Sequence, residues 1–109
     1  MAVHSADAME RAEIRRFAAD PSVVRVTRTA QYDLLGHGLA KEEICGEIVA
    51  WIDDGQPVKK VILRGQHSGT PAHEMKPRIN TILFYLKVGL CDLGEPDEFM
   101  LLISAHPDH

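Results

Sequence analysis

The chain has little that would disclose a function at a glance. Two cysteines, Cys45 and Cys91, in 109 residues are too few for a disulfide framework or a zinc cluster. No apolar run approaches the roughly 18 residues a membrane span needs, and the N-terminus lacks the charged-then-apolar layout of a secretory signal. A cytoplasmic protein making no membrane contact is therefore expected. There is no internal repeat and no low-complexity segment. Gly65 to Gly69 lacks the Gly-Lys-Ser/Thr ending and following helix of a phosphate loop. His106 and His109, with Asp108 and His73, have a His-x-x-His spacing but sit in a short polar end containing Pro107. No metal site and no cofactor are expected.

What is present is an ordinary globular balance, 45% hydrophobic and 26% charged, which excludes intrinsic disorder. The length implies a single domain over 1–109: an N-terminal helix and linker over 1–22, a core over 23–105, and a tail over 106–109. A core at this size is feasible but modest, so a homodimer or a standing partner would add to it. The net charge of −4 is unevenly spread. Residues 58–90 carry Lys59, Lys60, Arg64, Lys76, Arg78 and Lys87 against Glu74 alone, whereas 91–109 have no Lys or Arg. A cationic third of the chain suits contact with a polyanion if its residues share a face, and a merely solvated surface if they do not.

Residues 5–19 read as a helix with Ser5 as N-cap, stopped by Asp20-Pro21-Ser22. Val23 to Thr27 is a β-branched run, and Ala30 to Leu35 a second helix ended by Gly36-His37-Gly38. The clearest helix follows, with Ile44, Ile48, Trp51 and Ile52 at spacings of three and four. Cys45 on that face is expected as a small buried hydrophobe, and Trp51 as core or an interface anchor. After Pro57 the period shifts toward two. Val58 to Arg64 reads as a strand, His73 to Arg78 as an extended edge segment interrupted by Pro77, Thr81 to Leu90 as the strongest strand, and Phe99 to Ala105 as the last. The fold class is α+β: N-terminal helices, then a three- to four-stranded antiparallel sheet.

On the strand from Thr81, Tyr85 and Lys87 share the side opposite Ile82, Phe84, Leu86 and Val88. Lys59, or Lys60 with Arg64, joins them according to register. Such a face suits metal-free RNA cleavage, which needs a base for the 2′-hydroxyl, an acid for the leaving oxygen and cations for the phosphoryl charge.

Three blocks add a family resemblance. Val24-Arg25-Val26-Thr27-Arg28-Thr29-Ala30, Gly38-Leu39 ahead of the Ile44-Cys45 helix, and Lys76-Pro77-Arg78 followed by Tyr85-Leu86-Lys87-Val88 resemble the motility quorum-sensing regulator (MqsR) toxins. The similarity spans roughly residues 22–105. It implies a RelE-like (barnase-like) toxin fold and a sequence-specific, metal-independent mRNA endoribonuclease held inactive by a cognate antitoxin protein. It also implies a catalytic tyrosine at Tyr85 and a catalytic lysine at Lys60, or Lys59 if the loop gap is placed differently. The family's glutamine falls at Ala72, so the neighbouring His73 is the acid–base candidate. Lys59, Arg64, Lys76, Arg78 and Lys87 are the expected RNA-binding cations. A non-catalytic protein-binding module of the same fold is the alternative; the acidic pI of 5.8 favours it.

Overall fold

The computed structural model describes residues 4–62 and 71–108. Arg64, the end of the strand expected over Val58–Arg64, and the loop to Thr70 lie outside the described residues. The described elements run β1 (His4–Ser5), α1 (Ala8–Ala18), a 3-10 turn (Pro21–Val23), β2 (Val24–Val26), α2 (Arg28–Gly36), α3 (Lys41–Asp53), β3 (Lys59–Ile62), β4 (Pro71–Met75), β5 (Arg78–Ile79), β6 (Ile82–Cys91) and β7 (Phe99–Pro107).

The chain is α+β: among the described residues, three helices pack on an open sheet of order β1-β3-β4-β6-β7-β2, with β5 paired to β6. The sheet is mixed, not purely antiparallel as expected, and has more strands. The short Val24–Val26 run pairs parallel to Met100–Leu102 on β7. That pairing is reached through a long connection containing α2, α3 and β3 to β6, as parallel neighbours require a crossover. β4 is interior, between β3 and β6, rather than at an edge, because Pro77 falls just after its last residue.

Local chemistry explains the helix boundaries. Asp7, not Ser5, caps α1: its carboxylate accepts from the Glu10 N–H at 2.8 Å, and Glu10 accepts from the Asp7 N–H at 3.0 Å. This reciprocal box satisfies two otherwise orphaned donors, and Ser5 is left free to pair in β1. Thr27 caps α2 in one direction only, accepting from the Ala30 N–H, while its hydroxyl donates to the Ile103 carbonyl. Asn80 and Thr81, with φ of 50° and 69°, form the two-residue turn joining β5 to β6. Positive φ at both central positions matches the twist of a tight hairpin.

One sheet face is buried beneath the helices. Phe84, Leu86 and Val88 of β6 and Met100, Leu102 and Ala105 of β7 pack against Ile14 and Phe17 of α1, Ala30 and Leu34 of α2, and Ile44, Cys45 and Ile48 of α3. Burial raises the Cys45 thiol pKa to about 11, so it stays a neutral core group. Between Lys87 and Val88 the pairing slips: Lys87 faces Ser104 and Val88 faces Leu102, leaving Ile103 as a bulge. β7 then continues through His106 to Pro107, so the first two residues of the stretch expected as a tail are sheet.

Leu86 is fully buried at the centre of this layer. Leu86→Ala should lower unfolding free energy by about 2–5 kcal/mol, read as a shifted urea midpoint. Leu93→Ala, at an exposed position, should leave the midpoint nearly unchanged.

Candidate active site

Cross-strand register sorts the candidate residues onto two faces, since directly paired residues project to the same side. Lys60 pairs with His73, and His73 with Val88, one of the buried core residues. That row belongs to the helix-covered face. Lys59 pairs with Glu74, Glu74 with Lys87, and Lys87 with Ser104. That row belongs to the open face, as does Tyr85, which pairs with His106. The expected trio of Lys60, His73 and Tyr85 is therefore not brought together.

On the covered side, Glu10 of α1 reaches down to β3 and β4. Its Oε2 lies 2.6 Å from Lys60 Nζ and 3.3 Å from His73 Nε2. The Lys60 ammonium, joined by the Asp7 N–H, holds the Glu10 carboxyl well below its usual value, at about 2, and Glu10 raises the Lys60 pKa in return. His73 is 2% exposed and its Nδ1 has no partner among the described residues. Burial lowers its pKa, outweighing the opposite pull of Glu10. These contacts tie α1 to the sheet, and His73 is out of reach of a bulky substrate.

On the open side, the Tyr85 hydroxyl donates to Glu74 Oε2, and Lys59 Nζ stands 3.9 Å from Glu74 Oε1. Burial, then the Glu74 carboxylate, raises the Tyr85 pKa, so the phenol keeps its proton at neutral pH. Its ring lies against that of His106, centroids 5.3 Å apart, and Lys87 Nζ is 5.9 Å from the Tyr85 centroid. His106 Nδ1–H donates to the Pro107 carbonyl at 2.9 Å, which leaves Nε2 as the ring's working nitrogen. A groove of about 330 Å³ opens beside this cluster, where β3 begins and β4 and β7 end; Trp51, Lys59, Glu74, Lys76, Tyr85 and Asp108 are on its walls.

The remaining predicted cations are spread around this end. Lys76 sits 3.2 Å from Asp108. Arg78 is exposed on β5, its guanidinium 3.4 Å from the Thr81 carbonyl. Glu74 and His106 were not among the expected site residues. Alternation from Tyr85 could have placed both, had β7 been extended past Ala105 and the β4 register been known. No group of His, Cys, Asp and Glu suited to a metal occurs among the described residues.

Comparison with protein-family models, with curated proteins and with solved structures found no match in any of the three. Among the described residues, no helix is long and apolar enough to cross a membrane.

The covered cluster makes stability acid-sensitive in a defined way. His73 has a lowered folded pKa, so protons bind the unfolded chain first and stability falls as pH drops through 6.5. Glu10 is also depressed, so its contribution is full above 4.5 and is lost as pH approaches 2. Melting temperature should fall in both ranges, and Glu10→Gln should flatten the lower limb. A wild-type melting temperature that stays constant from pH 7 to pH 4 would contradict a neutral, buried His73.

Proposed function

We propose that the protein is a metal-independent endoribonuclease that cuts single-stranded mRNA at the groove beside Tyr85. It acts as the toxin of a toxin–antitoxin pair. The observation that carries the catalytic reading is the meeting of a carboxylate, an imidazole and a protonated phenol on one open sheet face, with lysines alongside: Glu74, His106 and Tyr85 with Lys59 and Lys87. The toxin role, the mRNA substrate and the antitoxin partner are supported by the resemblance of the Val24–Ala30, Gly38-Leu39 and Lys76–Val88 blocks to the MqsR toxins.

In this reading Glu74 is the base and His106 the acid. The Glu74 carboxylate takes the 2′-hydroxyl proton as that oxygen bonds to the adjacent phosphorus. The bond from phosphorus to the 5′-oxygen breaks, and the His106 imidazolium gives that oxygen its proton. The products are a 2′,3′-cyclic phosphate and a 5′-hydroxyl. Tyr85, held protonated, donates to a phosphoryl oxygen, while Lys59 and Lys87 offset the charge growing there. Lys59 takes the role of the family lysine here, and Lys60 serves as the anchor of α1.

One observation favours the second reading, a protein-binding module. Lys59, Lys60 and Lys76 each face a carboxylate, at 3.9, 2.6 and 3.2 Å, so much of the cationic segment is neutralised within the chain. A cleavage assay separates the two. Purified protein with labelled single-stranded RNA and EDTA should yield discrete fragments with cyclic-phosphate ends. Glu74→Gln and His106→Gln should each slow cleavage about 10²–10⁴-fold, with melting temperatures near wild type. RNA left intact by folded wild-type protein would favour the module.

A further inference from the structure

We propose that the groove is a nucleobase site. One unpaired base of the RNA strand stacks on the indole of Trp51, its edge meets the Lys76–Asp108 pair, and this contact selects where the strand is cut. The inference takes its ligand class from the ribonuclease reading and adds to it the residue that reads sequence.

Trp51 lies in the last turn of α3, one turn beyond the fully buried Ile48. It is only partly buried and forms a wall of the groove. Its Nε1–H donates to the Pro57 carbonyl at 2.8 Å. That bond restrains the ring and uses the indole's one polar group, so the ring has only apolar, π-bearing surface to offer a ligand. The groove, about 330 Å³, falls in the size range of small-molecule sites.

The other walls fit a nucleotide. Lys76 Nζ and Asp108 Oδ2, 3.2 Å apart, present a donor and an acceptor side by side. The hydrogen-bonding edge of a nucleobase carries the complementary pair. Lys59, on the same groove, stands where the phosphate of the stacked nucleotide would be met, next to Tyr85 and Glu74. An aromatic platform beside a cationic track is the usual means of holding single-stranded nucleic acid. A base seated on Trp51 would set the adjoining phosphodiester near Glu74 and Tyr85, which share the groove, with His106 stacked against Tyr85 beyond them, and this couples recognition to position of cleavage.

Trp51 is the single tryptophan, so the wild-type chain reports on this site directly. Uncleavable 2′-O-methyl RNA hexamers of A, C and U, each with a 5′-fluorescein for anisotropy, are titrated into the full chain. At least one should bind and quench Trp51 emission with the same midpoint. Trp51→Leu should weaken that binding about tenfold or more, with Trp51→Phe intermediate. On cleavable RNA, Trp51→Leu should cut at more sites than wild type. Binding by anisotropy with unchanged Trp51 emission would overturn the base site and leave the ribonuclease reading standing. Cleavage of RNA with an unaltered set of sites in a folded Trp51→Leu would do the same. Absence of both binding and cleavage would overturn the two together, and would point to a protein as the partner of this face.

Discussion

The alternation along β6 is the constraint from which the rest follows. Phe84, Leu86 and Val88 are driven beneath the helices, each burying a side chain worth about 1.5–3 kcal/mol in transfer. Tyr85 and Lys87 are thereby forced to the other side, because a strand has only two. The flanking strands inherit this division through register. Two adjacent lysines on β3 illustrate how sharp it is. Lys60 falls in the row of His73 and Val88, and Lys59 in the row of Glu74 and Lys87. One residue of slip would exchange their roles.

The two faces use charge differently. Beneath α1, Glu10 gathers Lys60 and His73 into a closed cluster that fastens the helix over the sheet edge. A buried histidine whose Nδ1 has no partner among the described residues would be costlier still if charged, and burial lowers its pKa toward the neutral form. On the open face, the Tyr85–Glu74 bond and the Lys59–Glu74 contact are partly exposed, and in the proposed reading they rearrange around a phosphate. Lys59 is half exposed, and an exposed ion pair contributes little to stability, so a phosphate would displace the Lys59–Glu74 contact at small cost. The bulge at Ile103 shifts the outer half of β7 and brings His106 opposite Tyr85.

Much of this was legible in the sequence, and the failures have physical causes. The helix over Lys41–Asp53 was readable from Ile44, Ile48 and Ile52, and the long strand from the alternation after Thr81. The parallel pairing of Val24–Val26 was not, since three β-branched or polar residues carry no information about their neighbour. Lys60 and His73 look like surface chemistry in one dimension. Only the β3–β4–β6 register reveals that they project inward. Glu74 was visible as the single acid in a cationic stretch, yet its partnership with Tyr85 depends on strand pairing. His106 was obscured by Pro107, which reads as an ending but here closes the strand at the sheet's margin.

The proposed ribonuclease chemistry requires the open face of the sheet, and not the helix-covered one, to meet RNA. The most direct measurement is an amide and histidine-ring NMR titration with an uncleavable 2′-O-methyl RNA, mapped residue by residue. Shifts should concentrate at Lys59, Glu74, Tyr85, Lys87 and the His106 ring, with the His73 ring and Lys60 unmoved. Shifts centred on Lys60 and His73, or none at all with saturating RNA, would contradict that chemistry.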